Sequence, residues 1–170
     1  MPASILGSLI CASPKTMLRL ATPADQPFLH KLFVDDRAPL FAAFGADMAA
    51  MLLEQQYRAQ CATYAVIAPN AANFIILRDG APAGRLLVDW QAQDKLRIVD
   101  VVLTPAVRRQ GIGLDTLTAL AKAARVAGAS RLTLSVSFSN EGAQKLYAKL
   151  GFVATGQQDS GIDIAMEQYL

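Results

Sequence analysis

The run Arg108-Arg109-Gln110-Gly111-Ile112-Gly113-Leu114 has the residue types for binding an anion. It follows an apolar, β-branched stretch, Ile98 to Leu103, and it opens a helical repeat of Leu114, Leu117, Leu120, Ala121 and Ala124. Pro105 cannot continue a ladder, so the strand should stop near Thr104. A helix N-terminus presents unpaired backbone N–H groups and a partial positive charge. Glycines let a ligand approach that backbone, and two arginines add full charges. The combination suits a phosphate. A second stretch, Asn140-Glu141-Gly142-Ala143-Gln144-Lys145-Leu146-Tyr147-Ala148-Lys149-Leu150-Gly151-Phe152, reads as a capped helix. Asn140 is a good N-cap, Glu141 suits the first turn, and Gly151 suits the position after the end. Ala143, Leu146, Tyr147 and Leu150 share one face, and Asn140 and Tyr147, seven residues apart, can look into one groove.

These side chains need a scaffold. The pattern predicts a strand over 17–21, a helix entered through Thr22-Pro23 and running to about Asp36, and a second helix from about Met48 to Cys61. Strands over 72–78 and 83–90 flank an Asp79-Gly80 hairpin turn, and a third spans 95–104. A helix over 113–127, a strand over 131–137, the helix over 140–150 and a hairpin of 152–155 with 162–168 complete the chain. The order β-α-α-β-β-β-α-β-α-β-β gives an α/β protein with a mixed sheet and helices on both faces. Residues 1–16 read as an N-terminal extension and 17–170 as a single domain.

Composition narrows the function. The chain has 170 residues, of which 53% are hydrophobic and 18% charged, so it folds rather than staying disordered. A net charge of +2 with scattered basic residues argues against nucleic acid as a partner, and no apolar run is long enough to span a membrane. His30 is the only histidine, which excludes a zinc site built on several histidines, and no metal is expected. Cys11 and Cys61 lack metal-ligand spacing and read as reduced thiols of a cytoplasmic protein.

R-x-x-G-x-G after an apolar strand, then N-x-x-A-x-x-x-Y-x-x-x-G-F after a further strand, resembles the GCN5-related N-acetyltransferase (GNAT) superfamily. The resemblance covers about 17–170 and is sharpest over 96–152. It implies a GNAT-like fold with splayed central strands and acetyl-CoA as cosubstrate. It further implies transfer of acetyl to a primary amine, on a small molecule or a peptide, by direct attack on the thioester. By the same resemblance, the backbone of Val101, Val102 and Leu103 would hold the pantetheine arm and the acetyl carbonyl. Arg108, Arg109, Gln110, Gly111, Ile112, Gly113 and Leu114 would wrap the pyrophosphate, and the family often has glycine where Arg109 stands. Asn140 would bond the pantetheine arm, and Tyr147 would lie against the cofactor and protonate the departing thiolate. Asp100 is the best-placed general base, with Glu54, Asp89 and a water chain as alternatives. Arg37, Phe41, Phe44, Gln56, Tyr57 and Gln60 are the candidate acceptor wall, and loops 35–47 and 156–161 would set acceptor specificity. The family also suggests a homodimer. The rival readings are a non-catalytic acyl-CoA sensor and a partner-binding protein on the same fold.

Overall fold

A computed structural model describes residues 9–92, 94–157 and 161–170. Its strands are β1 (Thr16–Leu20), β2 (Ala72–Arg78), β3 (Ala81–Ala92), β4 (Lys95–Leu103), β5 (Arg131–Ser137), β6 (Val153–Gln157) and β7 (Asp163–Tyr169). Its helices are α1 (Gln26–Arg37), α2 (Ala46–Ile67), α3 (Ile112–Val126) and α4 (Glu141–Lys149). The strands make one sheet in the order β1-β2-β3-β4-β5-β7-β6, antiparallel except where β4 meets β5. The expected mixed sheet is therefore present. Asp79 (φ 49°) and Gly80 (φ 80°) turn β2 into β3 with the left-handed pair that matches strand twist.

Alternation along the strands separates two apolar faces. Phe74, Ile76, Leu86, Val88, Leu96, Ile98, Leu132 and Leu134 join Ile112, Leu117 and Leu120 of α3 and Tyr147 of α4 in the main core. Ile75 and Leu87 are also buried but lie outside that cluster, as do Leu29, Leu32 and Phe33 of α1 and Leu53 of α2. Helix α1 contacts β3 and β4. So α3 and α4 cover one face, and α1 with α2 the other.

Two irregularities in β4 shape the site. Leu87 pairs with Asp100 but Val88 pairs with Ile98, so Val99 is an extra residue, a β-bulge. The bulge resets the alternation. Ile98, Val101 and Leu103 all pack with the main core, while Asp100 and Val102 line a cleft beside α1. Secondly, β4 pairs with β5 only at Lys95–Arg131, Leu96–Leu132 and Arg97–Thr133. Beyond Arg97 the two strands part, which is the expected splay.

Some expected boundaries change. Helix α2 begins at Ala46 and continues to Ile67, six residues past Cys61. Only Leu53 of α2 is fully buried, whereas Met48 and Met51 face solvent, so the Met48–Met51 spacing did not mark its packed side. The limit drawn between residues 16 and 17 falls inside β1. Of the extension, residues 1–8 lie outside the described residues, but the next few are fastened to the domain. Leu9 packs against the core, and the Ala12 and Ser13 N–H groups donate to the Asp115 carboxylate at 2.7 and 3.0 Å. Arg78, at the end of the neighbouring β2, donates to the Ser13 and Thr16 hydroxyls. Cys11 and Cys61 are both free thiols. Among the described residues, no helix is long and apolar enough to cross a membrane.

Candidate active site

Where β4 and β5 diverge, the β4 backbone from Ile98 to Leu103 loses its partner on one side. Backbone N–H and C=O groups need partners when shielded from water, so the gap is shaped for an extended polar ligand. β4 ends at Leu103, a short turn over Pro105–Val107 follows, and α3 begins at Ile112. Gly111, at φ 79°, is the left-handed residue that turns the chain into the helix. Arg109 is also left-handed, at φ 64°, a conformation that glycine holds without strain. A Cβ on Gly113 would touch the Leu146 side chain at 3.4 Å, so this glycine sits against α4.

The arginines of this turn do not act alike. Arg108 donates through Nε to the Leu103 carbonyl at 2.9 Å and through Nη2 to Asp36 at 2.7 Å. Its guanidinium fastens the turn to β4 and α1 instead of pointing wholly at a phosphate. The Leu103 carbonyl is thereby occupied. The Thr104 N–H donates to the Ala83 carbonyl and the Val102 carbonyl points at Gly84, so the Val102 backbone is turned to β3 and, against the expectation, not to the fork; Val101 and the Leu103 N–H face it. Arg109 is exposed, and its side chain has no hydrogen-bond or ion-pair partner among the described residues. Gln110 donates to the Ala106 carbonyl and braces the turn. Asp115, in the first turn of α3, is engaged by Ala12 and Ser13. Gln110, Gly111, Ile112 and Leu114 edge an open cleft of about 420 Å³ beside Ser13 and Arg78.

Asn140 caps α4: its side-chain oxygen accepts from the Ala143 N–H at 3.0 Å. That leaves its amide N–H₂ for other work. Tyr147 is buried against Phe152, with ring centroids 5.7 Å apart. Burial, helped by the negative charge of Asp100, pushes its phenol up to about 12. Its hydroxyl has no hydrogen-bond partner among the described residues.

On the opposite face of β4, Asp100 and Val102 meet Leu29, Leu32, Phe33, Asp36, Arg37, Gln60 and Arg85 around a small cleft. Arg85 Nη2 donates to Asp100 at 2.5 Å, and the Arg85 guanidinium lies over the Tyr64 ring, 5.2 Å from its centroid. Burial raises the Asp100 carboxyl above its ordinary value, and Arg85 opposes that shift. Of the expected acceptor wall, Arg37 and Gln60 line this cleft. Tyr57 stands behind it, against Phe33 and His30. Phe41 and Phe44 pack on each other, 6.1 Å apart, Phe44 largely in solvent. Gln56 is exposed. These three do not line the cleft: Phe41 and Phe44 lie in the segment before α2, and α2 turns its Leu53–Gln60 side inward, away from Gln56. Glu54 is tied to His30 at 3.0 Å and Arg58 at 2.7 Å. Loop 156–161 lies partly outside the described residues.

The profile of the acetyltransferase (GNAT) family matches residues 29–152. The chain belongs to this family. One relative is a Bacillus subtilis (strain 168) protein assigned provisionally as a ribosomal protein bS18-alanine N-acetyltransferase. It is 32% identical over 88 residues, a match spanning 52% of this chain and 58% of the relative. The fold is similar to that of the PaiA N-acetyltransferase of Thermoplasma acidophilum in complex with coenzyme A. The TM-score is 0.72 at 18% identity, over 91% of this chain and 99% of that one. It is also similar to a GNAT family acetyltransferase of Elizabethkingia anophelis with acetyl-CoA bound. There the TM-score is 0.63 at 16% identity, over 93% of this chain and 100% of that one.

Within this GNAT chain, three contacts around the candidate site lie outside the sequence expectations. Arg85 enters the sequence pattern only as part of a strand, although a charged residue at an inward-facing position of an apolar strand has to find a partner. Asp36 enters it only as a helix end. Gln144 donates to the Ser137 and Phe138 carbonyls and so fixes the turn between β5 and α4, on which Asn140 depends. Only Arg85 carried a signal that could have been read.

Proposed function

We propose that this chain is an acetyl-CoA-dependent N-acetyltransferase acting on a primary amine by direct attack on the thioester. The observation that carries this reading is the fork between β4 and β5, which opens onto the Gly111 turn and has Tyr147 buried beside it. Similar proteins support it: one is provisionally assigned as a ribosomal protein alanine N-acetyltransferase, and two of similar fold were solved with coenzyme A or acetyl-CoA.

Acetyl-CoA supplies an activated carbonyl with a thiolate leaving group. The chain's own residues do the rest. Backbone groups of Val101 and the Leu103 N–H, which face the fork, hold the pantetheine arm and polarise the carbonyl oxygen. One well-aimed donor of this kind contributes about 2.7–4 kcal/mol to the transition state. The Gly111–Gly113 turn and the start of α3 receive the pyrophosphate, with Arg109 as its free cation, while Arg108 holds the turn in place. The Asn140 amide donates to the arm. Asp100 takes a proton from the ammonium, freeing the nitrogen lone pair. The C–N bond forms, the nitrogen of the tetrahedral intermediate gives its second proton to solvent, the C–S bond breaks, and the Tyr147 hydroxyl protonates the departing sulfur. A phenol held near 12 is protonated at neutral pH and ready to donate. Solvent restores both groups, with net release of one proton.

Thermal unfolding with acetyl-CoA, and with ATP as control, tests the donor site. At one hundred times its Kd a ligand adds about 2.7 kcal/mol of stability. A rise with acetyl-CoA alone, followed by thiol release when amines are added, is the expected result. Neither a rise nor thiol release with any amine would overturn the reading.

A further inference from the structure

Two guanidiniums, Arg37 and Arg85, line the acceptor cleft, and a third, Arg108 of the donor turn, reaches into it to Asp36. Two carboxylates, Asp36 and Asp100, line the cleft. Asp100 is taken by Arg85 at 2.5 Å. Asp36 is taken by Arg108 at 2.7 Å and lies 3.5 Å from Arg37 Nε. Three guanidiniums thus share two carboxylates, and the terminal nitrogens of Arg37 have no partner among the described residues. Arg37 is held at the cleft by stacking on Phe33, 5.7 Å from the ring centroid, and its side chain is 42% exposed. Deeper in, Arg85 is 9% exposed, and its Nε–H is a buried donor with no partner among the described residues. Both features ask for an anion.

We propose that the acceptor is a small zwitterion, an amine that carries its own carboxylate, and that Arg37 selects it by binding that carboxylate. The inference deepens the acetyltransfer reading and rests on it. The planar fork of arginine matches a carboxylate with two parallel hydrogen bonds. An acceptor that is only a cation, such as a polyamine or an aminosugar, would need unpaired carboxylates, and both carboxylates in this cleft already face a guanidinium. A protein N-terminus brings an ammonium but no neighbouring carboxylate, and would leave the surplus positive charge unmatched. The cleft is about 30 Å³, room for a small charged head group only. The rest of the acceptor would lie at the open mouth, between Arg37 and Gln60. Asp100 faces the ammonium while Arg37 holds the other end, so the amine is presented toward β4.

The test is thiol release from acetyl-CoA with four kinds of acceptor: free α-amino acids, their amides, the corresponding decarboxylated amines, and a peptide with a free N-terminal alanine. The free acids should exceed the amides at least tenfold in kcat/KM. Arg37→Gln should cut that preference at least tenfold, through the KM of the acid and with little change in kcat, and Arg37→Lys should restore part of it. Unfolding temperature and its rise with acetyl-CoA, measured on each variant, show that the fold and donor site persist. Equal use of acids and amides, better use of the peptide or the amines, or a preference unchanged by Arg37→Gln would overturn this inference while leaving acetyl transfer standing. No thiol release from any acceptor would overturn acetyl transfer itself, and the inference with it.

Discussion

Arg108, on the turn after β4, reaches Asp36, at the end of α1, across 2.7 Å and 72 residues of sequence. The donor turn and the acceptor wall are joined by this one ion pair. Asp36→Asn should therefore raise the KM of acetyl-CoA as well as that of the amine, although Asp36 stands on the acceptor side. Both partners are partly exposed, so the cost to stability should stay below about 1 kcal/mol. Steady-state kinetics with each substrate varied in turn check this, and an unchanged KM for acetyl-CoA would refute it.

Tyr147→Phe removes one hydroxyl and keeps the ring that packs on Phe152. Folding should be little altered, and kcat should drop about a hundredfold, the lower range for a lost general acid. Because the phenol is pushed up to about 12, the wild-type rate should not fall as pH passes the ordinary tyrosine value. A pH–rate profile that declines near 10, a free tyrosine's approximate pKa, would contradict the placement of this group.

Asp100 works as a base only when ionised, and burial raises its pKa. The rate should fall as pH drops through a point above the usual carboxylate range. Asp100→Asn should lower kcat and abolish this acidic limb. If the limb survives the substitution, another group removes the proton.

Arg109 and Gly111 share a left-handed backbone. Gly111→Ala meets no atom within 4 Å, so its cost is conformational, about 1–2 kcal/mol. Affinity for acetyl-CoA should fall with it. Arg109→Gly should leave stability within about 1 kcal/mol of the parent, since relief of strain is offset by a more flexible unfolded chain. Denaturant midpoints and acetyl-CoA titrations read both effects.

The Asp25 carboxylate accepts from both terminal nitrogens of Arg19, at 2.6 and 2.7 Å, and from the Thr22 N–H at 2.8 Å. These donors, Arg19 foremost, hold its pKa well below the usual value. A depressed folded pKa means stability present at neutral pH and lost as pH falls below the unfolded value toward the folded one. Asp25→Asn should lower the unfolding temperature at pH 7, and the gap between the two proteins should close in strong acid.

The sequence made the strands and both motifs legible because each is a local pattern. The β5 span, Arg131–Ser137, matches its alternation residue for residue, and the Asn140 cap is where its type and spacing put it. Helix α2 was underestimated because its length rests on good helix formers such as Ala59, Gln60, Ala62 and Ala65 rather than on an apolar stripe. The bulge at Val99 left no trace in composition, yet it decides that Asp100 faces α1. Arg108 looked like a phosphate ligand because its partners, Leu103 and Asp36, are set by tertiary structure. Charge pairs between distant elements have no sequence period to betray them.

The fork in the sheet has a consequence for solubility. Where β4 leaves β5, the molecule contains a strand edge, and bare edges are the usual template for one chain to add to another. This edge is internal: β5 and β7 continue the sheet beyond it, and α3 and α4 cover one face. A narrow, extended molecule can pair with the exposed amides, whereas the strand of a second protein would have to enter between β4 and β5 to do so. The chain can thus keep an open hydrogen-bonding register without seeding its own aggregation.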